Sequence, residues 1–122
     1  MSYISFLFGE KRKKDASYGQ RKEIDAEDHL KKRFKTVSTN KTLKRSPASH
    51  GPADWEIIDS TGKLNALIQV KASRTKGGAR IPKSESIRLI ETAKEYHTRA
   101  FLTTCERGHY HTKQLYPIRK KR

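Results

Sequence analysis

Two spacings of apolar positions alternate along the chain, and the switches between them mark its elements. Across residues 19–35, Ala26, Leu30 and Phe34 recur at helical spacing, with Glu23 and Glu27 on the same stripe. Lys22, Asp25, Asp28, Lys31, Lys32 and Arg33 fall mostly elsewhere, which predicts an amphipathic helix. Residues 36–43 are polar with a β-branched flavour and read as a short strand or a connector, and 46–52 read as a loop from their Pro, Gly and Ser content. Residues 54–59 and 64–72 predict two strands joined at Ser60-Thr61-Gly62. In the second strand, alternation puts Ala66, Ile68, Val70 and Ala72 on one face and Leu67, Gln69 and Lys71 on the other. Pro82 opens a second helix, with Ser84 as its expected N-cap, over residues 83–97; Leu89, Ile90, Ala93 and Tyr96 form the face that packs on the sheet. The apolar run 100–105 suits a buried strand, Glu106-Arg107-Gly108 turns the chain, and 109–116 pairs back. Helix, hairpin, helix and two strands in that order predict an α/β sandwich around a mixed sheet.

Composition changes this picture in two ways. A length of 122 residues suits one domain, and a hydrophobic fraction of 33% gives it a small core that a partner subunit would complete. Lys and Arg number 28 against 13 acids, a formal charge of +15 that draws the chain to polyanions, nucleic acid first among them. A membrane surface fits less well, since no basic segment accompanies a strongly apolar helical face, and no run approaches the ~18 apolar residues of a membrane span. The apolar opening 1–8 is too short for a secretory signal, and the single Cys105 excludes an internal disulfide or an all-cysteine zinc site, so the expected compartment is the cytoplasm. Cationic blocks sit at both ends: Lys11, Arg12, Lys13 and Lys14 in an N-terminal extension (1–18), and Arg119 to Arg122 in a C-terminal tail (118–122). Between them lies one domain, 19–117. Arg74, Lys76 and Arg80 surround Gly77 and Gly78 in what reads as a mobile basic loop, too irregular for a phosphate-binding P-loop.

Candidate chemistry concentrates around the hairpin. Gln69 and Lys71 share a face across from Asp54, and a carboxylate with an amide oxygen can hold a divalent cation while a lysine steadies or activates a water. That is the equipment of a metal-dependent phosphodiesterase. Glu23 and Glu27 either pair with lysines at the edge of their stripe or send one carboxylate into the site. Glu56 shares a face with Asp54 and offers a substitute carboxylate, Trp55 on the other face reads as core, and His50 reads as an exposed loop histidine. His109 and His111 share a strand face without a third zinc ligand, and Glu85, Glu91 and Glu95 read as surface charges.

These residues resemble the PD-(D/E)xK nuclease superfamily, and within it the archaeal-type Holliday junction resolvases. Pro52-Ala53-Asp54 stands where the family has its proline–aspartate pair, and Gln69-Val70-Lys71 where it has Glu-x-Lys, with glutamine in place of glutamate. The approach Arg45-Ser46-Pro47-Ala48-Ser49 resembles the resolvase loop that carries a functional serine, and Gly19 precedes Glu23 by the family's helix-start spacing. The resemblance implies a restriction-endonuclease-like fold and Mg²⁺, or Mn²⁺ in its place, held by Asp54, the Gln69 side-chain oxygen and the Val70 carbonyl, with Glu23 contributing directly or through water. It gives Lys71 and Ser49 catalytic roles. It also implies a homodimer that cuts two opposed strands of a four-way DNA junction. Lys44, Arg45, Ser46, Arg74, Lys76, Arg80 and the Lys11–Lys14 block would hold the DNA backbone. Two alternatives stay open: another endonuclease of the fold, of restriction, homing or repair type, and a non-catalytic nucleic-acid-binding protein that keeps the fold.

Overall fold

The computed structural model describes residues 18–47 and 50–118. The expected N-terminal extension with Lys11, Arg12, Lys13 and Lys14, the candidate Ser49 and the cationic tail from residue 119 lie outside the described residues. The elements follow the expected order: α1 (Tyr18–Phe34), β1 (Thr42–Arg45), β2 (Trp55–Ile58), β3 (Leu64–Ser73), α2 (Lys83–Glu95), β4 (Arg99–Glu106) and β5 (His109–Tyr116). The strands form one sheet in the order β1-β2-β3-β4-β5. β3 and β4 run parallel, joined by the α2 crossover, while the other neighbours are antiparallel. The sheet is therefore mixed, as expected.

Each helix covers one face. Ala26 and Leu30 of α1 meet Leu43, Trp55, Ile57, Ala66, Ile68, Val70 and Phe101, with Phe34 and Tyr110 at the margin. Leu89 and Ala93 of α2 meet Ala53, Leu67 and Ala100 on the other face. Ala66, Ile68 and Val70 do oppose Leu67, as alternation requires. The second face is nonetheless as dry as the first, because α2 lies over it: Leu67 is 0% and Gln69 only 3% exposed. A central strand covered on both sides is the usual condition of parallel pairing. Leu30→Ala empties a fully buried site and is expected to cost about 3 kcal/mol, whereas Ile24→Ala on the exposed side of the same helix should stay within about 0.5 kcal/mol. Paired thermal denaturation checks this; equal destabilisation by both would remove α1 from the core.

Two local expectations change. Ser84 is not the N-cap of α2: Pro82 takes that position in an extended conformation, and no side chain caps the helix. Proline's fixed φ favours the entry, and the Ser86 amide already donates to the Pro82 carbonyl at 3.0 Å. Tyr96, expected on the packing face, ends the helix as its C-cap and is 39% exposed. Among the described residues, no helix is long and apolar enough to cross a membrane.

Candidate active site

β2 has four residues and β3 ten, so pairing between them ends at Trp55 and Ile68 and, among the described residues, leaves the far half of β3 without a strand on that side. Asp54 occupies the step. Its amide donates to the Ile68 carbonyl at 2.8 Å, and its Oδ2 accepts the Val70 amide at 2.7 Å. The N–H and C=O of one strand residue point to the same side, so the Val70 carbonyl also faces this step. Burial raises the Asp54 pKa to about 6. The Val70 hydrogen bond opposes that rise, Glu23 adds to it, and Arg45 and Lys71 work against it. Asp54 therefore feels both Glu23 and Lys71.

Gln69 and Lys71 project from β3 towards α2, where they meet Glu85. Gln69 Nε2 donates to Glu85 Oε1 at 3.4 Å, and Lys71 Nζ lies 3.3 Å from Oε1 and 3.0 Å from Oε2. Glu85, which by residue order reads as a surface charge, is half-buried at the heart of this cluster because the crossover lays the first turn of α2 across β3. The available signal was the Glu-x-Lys position without its glutamate, which called for a carboxylate from a neighbouring element. The Glu85 contact also fixes the orientation of the Gln69 amide, since the NH₂ group must face the carboxylate. Among the described residues Gln69 Oε1 is left buried with no hydrogen-bond partner, a costly state for an amide oxygen unless something binds there.

Glu23 comes in from α1. Its carboxylate pairs with Arg45 at the end of β1, and its backbone carbonyl accepts the Trp55 indole N–H at 2.8 Å. The Arg45 guanidinium lies over the Trp55 ring, 4.9 Å from its centre. Buried Trp55 thus braces both partners, in the core role expected of it. Glu27, the alternative, pairs with Lys31 one turn along the helix, both half-exposed.

Glu56 is 1% exposed and engaged on both sides, with Lys44 at 3.3 Å and His50 Nδ1 in a short contact. His50 is accordingly no free loop residue: its ring also meets Tyr96 edge-on, 4.8 Å between centres. Gly51 lets the loop turn here, with φ at +65° and a Cβ position that would fall 2.7 Å from Thr92 Oγ1 of α2. The Lys44–Glu56–His50 chain thereby pins the segment leading into Asp54. In that segment the Ser46 amide donates to the Asp54 carbonyl at 3.0 Å.

The basic loop after β3 is anchored rather than free at its base. Glu106 accepts the Ala79 amide at 2.9 Å, and the Gly77 and Ala79 amides, with Arg80 and Lys76 nearby, hold its carboxyl below the usual range. Arg74 lies over the Tyr18 ring, 4.6 Å from its centre, and Arg80 turns back to the Gly77 carbonyl at 3.1 Å. Lys76 is exposed, as are His109 and His111. Among the described residues, no three His, Cys, Asp or Glu side chains converge as a metal cluster. The oxygens on offer to a cation are the Asp54 carboxylate and the Val70 carbonyl at this step and the Gln69 side-chain oxygen from the α2 side of β3. Hard oxygen donors around one ionisable carboxylate suit Mg²⁺ or Mn²⁺, and the unpartnered oxygen is the observation that fits such an occupant.

No family model matches the chain. No curated protein matches it either. Among solved structures it is similar to Archaeoglobus fulgidus Hjc, a Holliday junction resolvase from an archaeal hyperthermophile, with a TM-score of 0.54 and 16% identity over 78% of this chain and 74% of that one. At that identity the likeness is one of fold: the five-stranded mixed sheet between two helices is a restriction-endonuclease-like α/β fold.

Proposed function

We propose that the protein is a metal-dependent DNA endonuclease whose preferred substrate is a four-way junction, acting as a homodimer with one site for each of two opposed strands, in the cytoplasm. What supports the reading is that Asp54 lies in the field of Lys71, and that Gln69, which shares Glu85 with Lys71, keeps a buried oxygen without a partner among the described residues. Asp54, Gln69 Oε1 and the Val70 carbonyl would hold Mg²⁺ or Mn²⁺, and Glu23 would reach the site through water. When bound, such a cation polarises the phosphoryl group and makes its water more acidic. Lys71 orients the attacking water and stabilises the charge that grows on the phosphoryl oxygens. Glu85 holds the Lys71 ammonium in place and keeps the Gln69 oxygen turned away from itself. Lys44, Arg45, Ser46, Arg74, Lys76 and Arg80, with the Lys11, Arg12, Lys13 and Lys14 block, would lie along the DNA backbone and set its position without reading bases, while Ser49 would serve catalysis.

One observation favours a non-catalytic nucleic-acid-binding protein instead. Glu85 closes a network with both Gln69 and Lys71, leaving neither free of protein partners. Incubation with a labelled four-way junction and a linear duplex of the same arm sequence, with and without Mg²⁺, separates the readings. The junction should be cut only with Mg²⁺, while the duplex stays whole. Equal cutting of both would point to another endonuclease of the fold, and tight binding without cutting to the non-catalytic reading.

A further inference from the structure

The C-terminal end of α1 and the start of β4 enclose a second concentration of charge that the candidate active site does not use. A cavity of about 330 Å³ opens there, with Arg33, Lys35, Lys41 and Arg99 on its walls and Phe101 and Gln114 among its lining. Among the described residues, no carboxylate lines it. Among the described residues, none of these four cations takes part in an ion pair, whereas Lys31, Lys44, Arg45 and Lys71 all do. Arg99 is held in place by its Nε–H bond to the Asn65 carbonyl at 3.2 Å and by the Phe101 ring, 5.2 Å from its guanidinium carbon. Burial first, and then the positive charge of the neighbouring Arg33, push the Arg99 pKa down. Arginine stays protonated regardless, so the cavity keeps its charge at any working pH. Left alone, four like charges repel one another; an anion among them removes that cost.

The position of the cavity says which anion. Lys41 lies immediately before β1 and Arg45 ends it, with Lys44 between them. Among the described residues β1 is the edge strand of the sheet, and Lys41 and Arg45, an even number of steps apart, form a row on one face while Lys44 points to the other. Four strand steps from Lys41 to Arg45 span about 13 Å, close to four base steps of a duplex at ~3.4 Å each. Arg45 carries the row to Glu23 and into the field of Asp54. Arg33 and Lys35 are exposed, and Lys41 and Arg99 half-buried, which suits a phosphate belonging to a passing polymer better than a small anion enclosed on all sides.

We infer that the Arg33–Lys35–Lys41–Arg99 cavity is an anchor for a nucleic-acid backbone phosphate, one β1 length from the candidate active site. The inference rests on the proposed action on DNA and adds to it a contact site with which the substrate arm is clamped. Arg99 would supply the fixed, paired donors for the phosphate oxygens, while Lys35 and Lys41 add charge that adapts to the backbone.

The test is the salt dependence of junction binding, measured without Mg²⁺ on the full chain. Arg33→Gln and Lys41→Gln are compared with native protein and with Arg88→Gln, a control of equal charge on exposed α2. Each anchor variant should lower the log–log salt slope by about 0.9, the signature of one fewer neutralised phosphate, and the control should not. Slopes equal to the control's would overturn the inference. A second reading needs no variant: the Arg99 Nε–H resonance of the native protein should shift on adding the junction and not on adding inorganic phosphate at the same phosphate concentration. An equal shift with inorganic phosphate would make the cavity a small-anion site and sink the backbone anchor. Neither measurement depends on cleavage, so a protein that binds with the expected slopes but never cuts DNA would refute the endonuclease reading alone.

Discussion

Asp54→Asn is expected to abolish Mg²⁺-dependent cutting of the four-way junction, leave junction binding intact or tighter, and make the metal-free protein more stable. The first two effects follow from the proposed role of Asp54 as the charged metal ligand, and from the loss of its repulsion of phosphate. The third follows from burial, which raises the Asp54 pKa from 3.8 to about 6. A carboxyl with a raised pKa prefers its protonated form in the fold. Its stabilising contribution is complete below pH about 4 and is lost as pH rises through about 6. A shift of about two units corresponds to roughly 3 kcal/mol, so at pH 8 the native protein bears that cost in full. Asparagine does not titrate, and its side-chain oxygen can still accept the Val70 amide. In chelator, the variant should therefore melt several degrees above the native protein at pH 8 and close to it at pH 4. An equal difference at both pH values would show that Asp54 carries no such strain, and cutting at the native rate would remove it from the active site. Strain at a site that keeps its function is the expected trade of stability against activity.

The second large effect concerns Gln69. Its NH₂ group faces Glu85 at 3.4 Å, and its oxygen has no partner among the described residues. Gln69→Glu replaces that donor with a second carboxylate beside Glu85, so the metal-free protein should lose stability through like-charge repulsion. If the proposed metal binds, the same oxygen would be a charged ligand, and Mg²⁺ favours carboxylate oxygens. On the proposed function the native protein, with its neutral amide, is expected to need metal on the order of millimolar. The Mg²⁺ concentration for half-maximal cutting should fall roughly tenfold in Gln69→Glu, as about 1.4 kcal/mol of added ligand interaction would produce. Gln69→Ala should raise it or stop turnover. A Mg²⁺ titration of junction cutting by the three proteins decides the matter: if Gln69→Ala follows the native curve throughout, the amide oxygen is no ligand.

Much of the frame is visible in the residue order because it rests on short-range periodicity. The spacing of Ala26 and Leu30 marks the buried side of α1, and the alternation of Ile68, Gln69, Val70 and Lys71 assigns faces on β3. The turn at Gly62 is equally local: Asp59 accepts the Thr61 and Lys63 amides, and Gly62 supplies a φ of +86°. Asp54, Gln69 and Lys71 could be grouped by reasoning across a single hairpin.

Contacts made across elements were decided only by the tertiary structure. Glu85 has the sequence context of an ordinary first-turn helix acid, and only the β3–α2–β4 crossover brings it to Lys71. His50 looks like an exposed loop residue until Gly51 folds it against Tyr96 and the buried Glu56. Arg33 and Arg99 are far apart in the chain and share a cavity because the end of α1 lies over the start of β4. Local pattern encodes which side of an element is buried, since burial of a stripe depends only on its own periodicity. It does not encode which charged groups meet at the ends of elements, because those meetings depend on strand lengths, crossover path and helix placement together. The candidate site lies at such an end, where the short β2 stops and Asp54 adjoins the half of β3 that pairs only with β4 among the described residues.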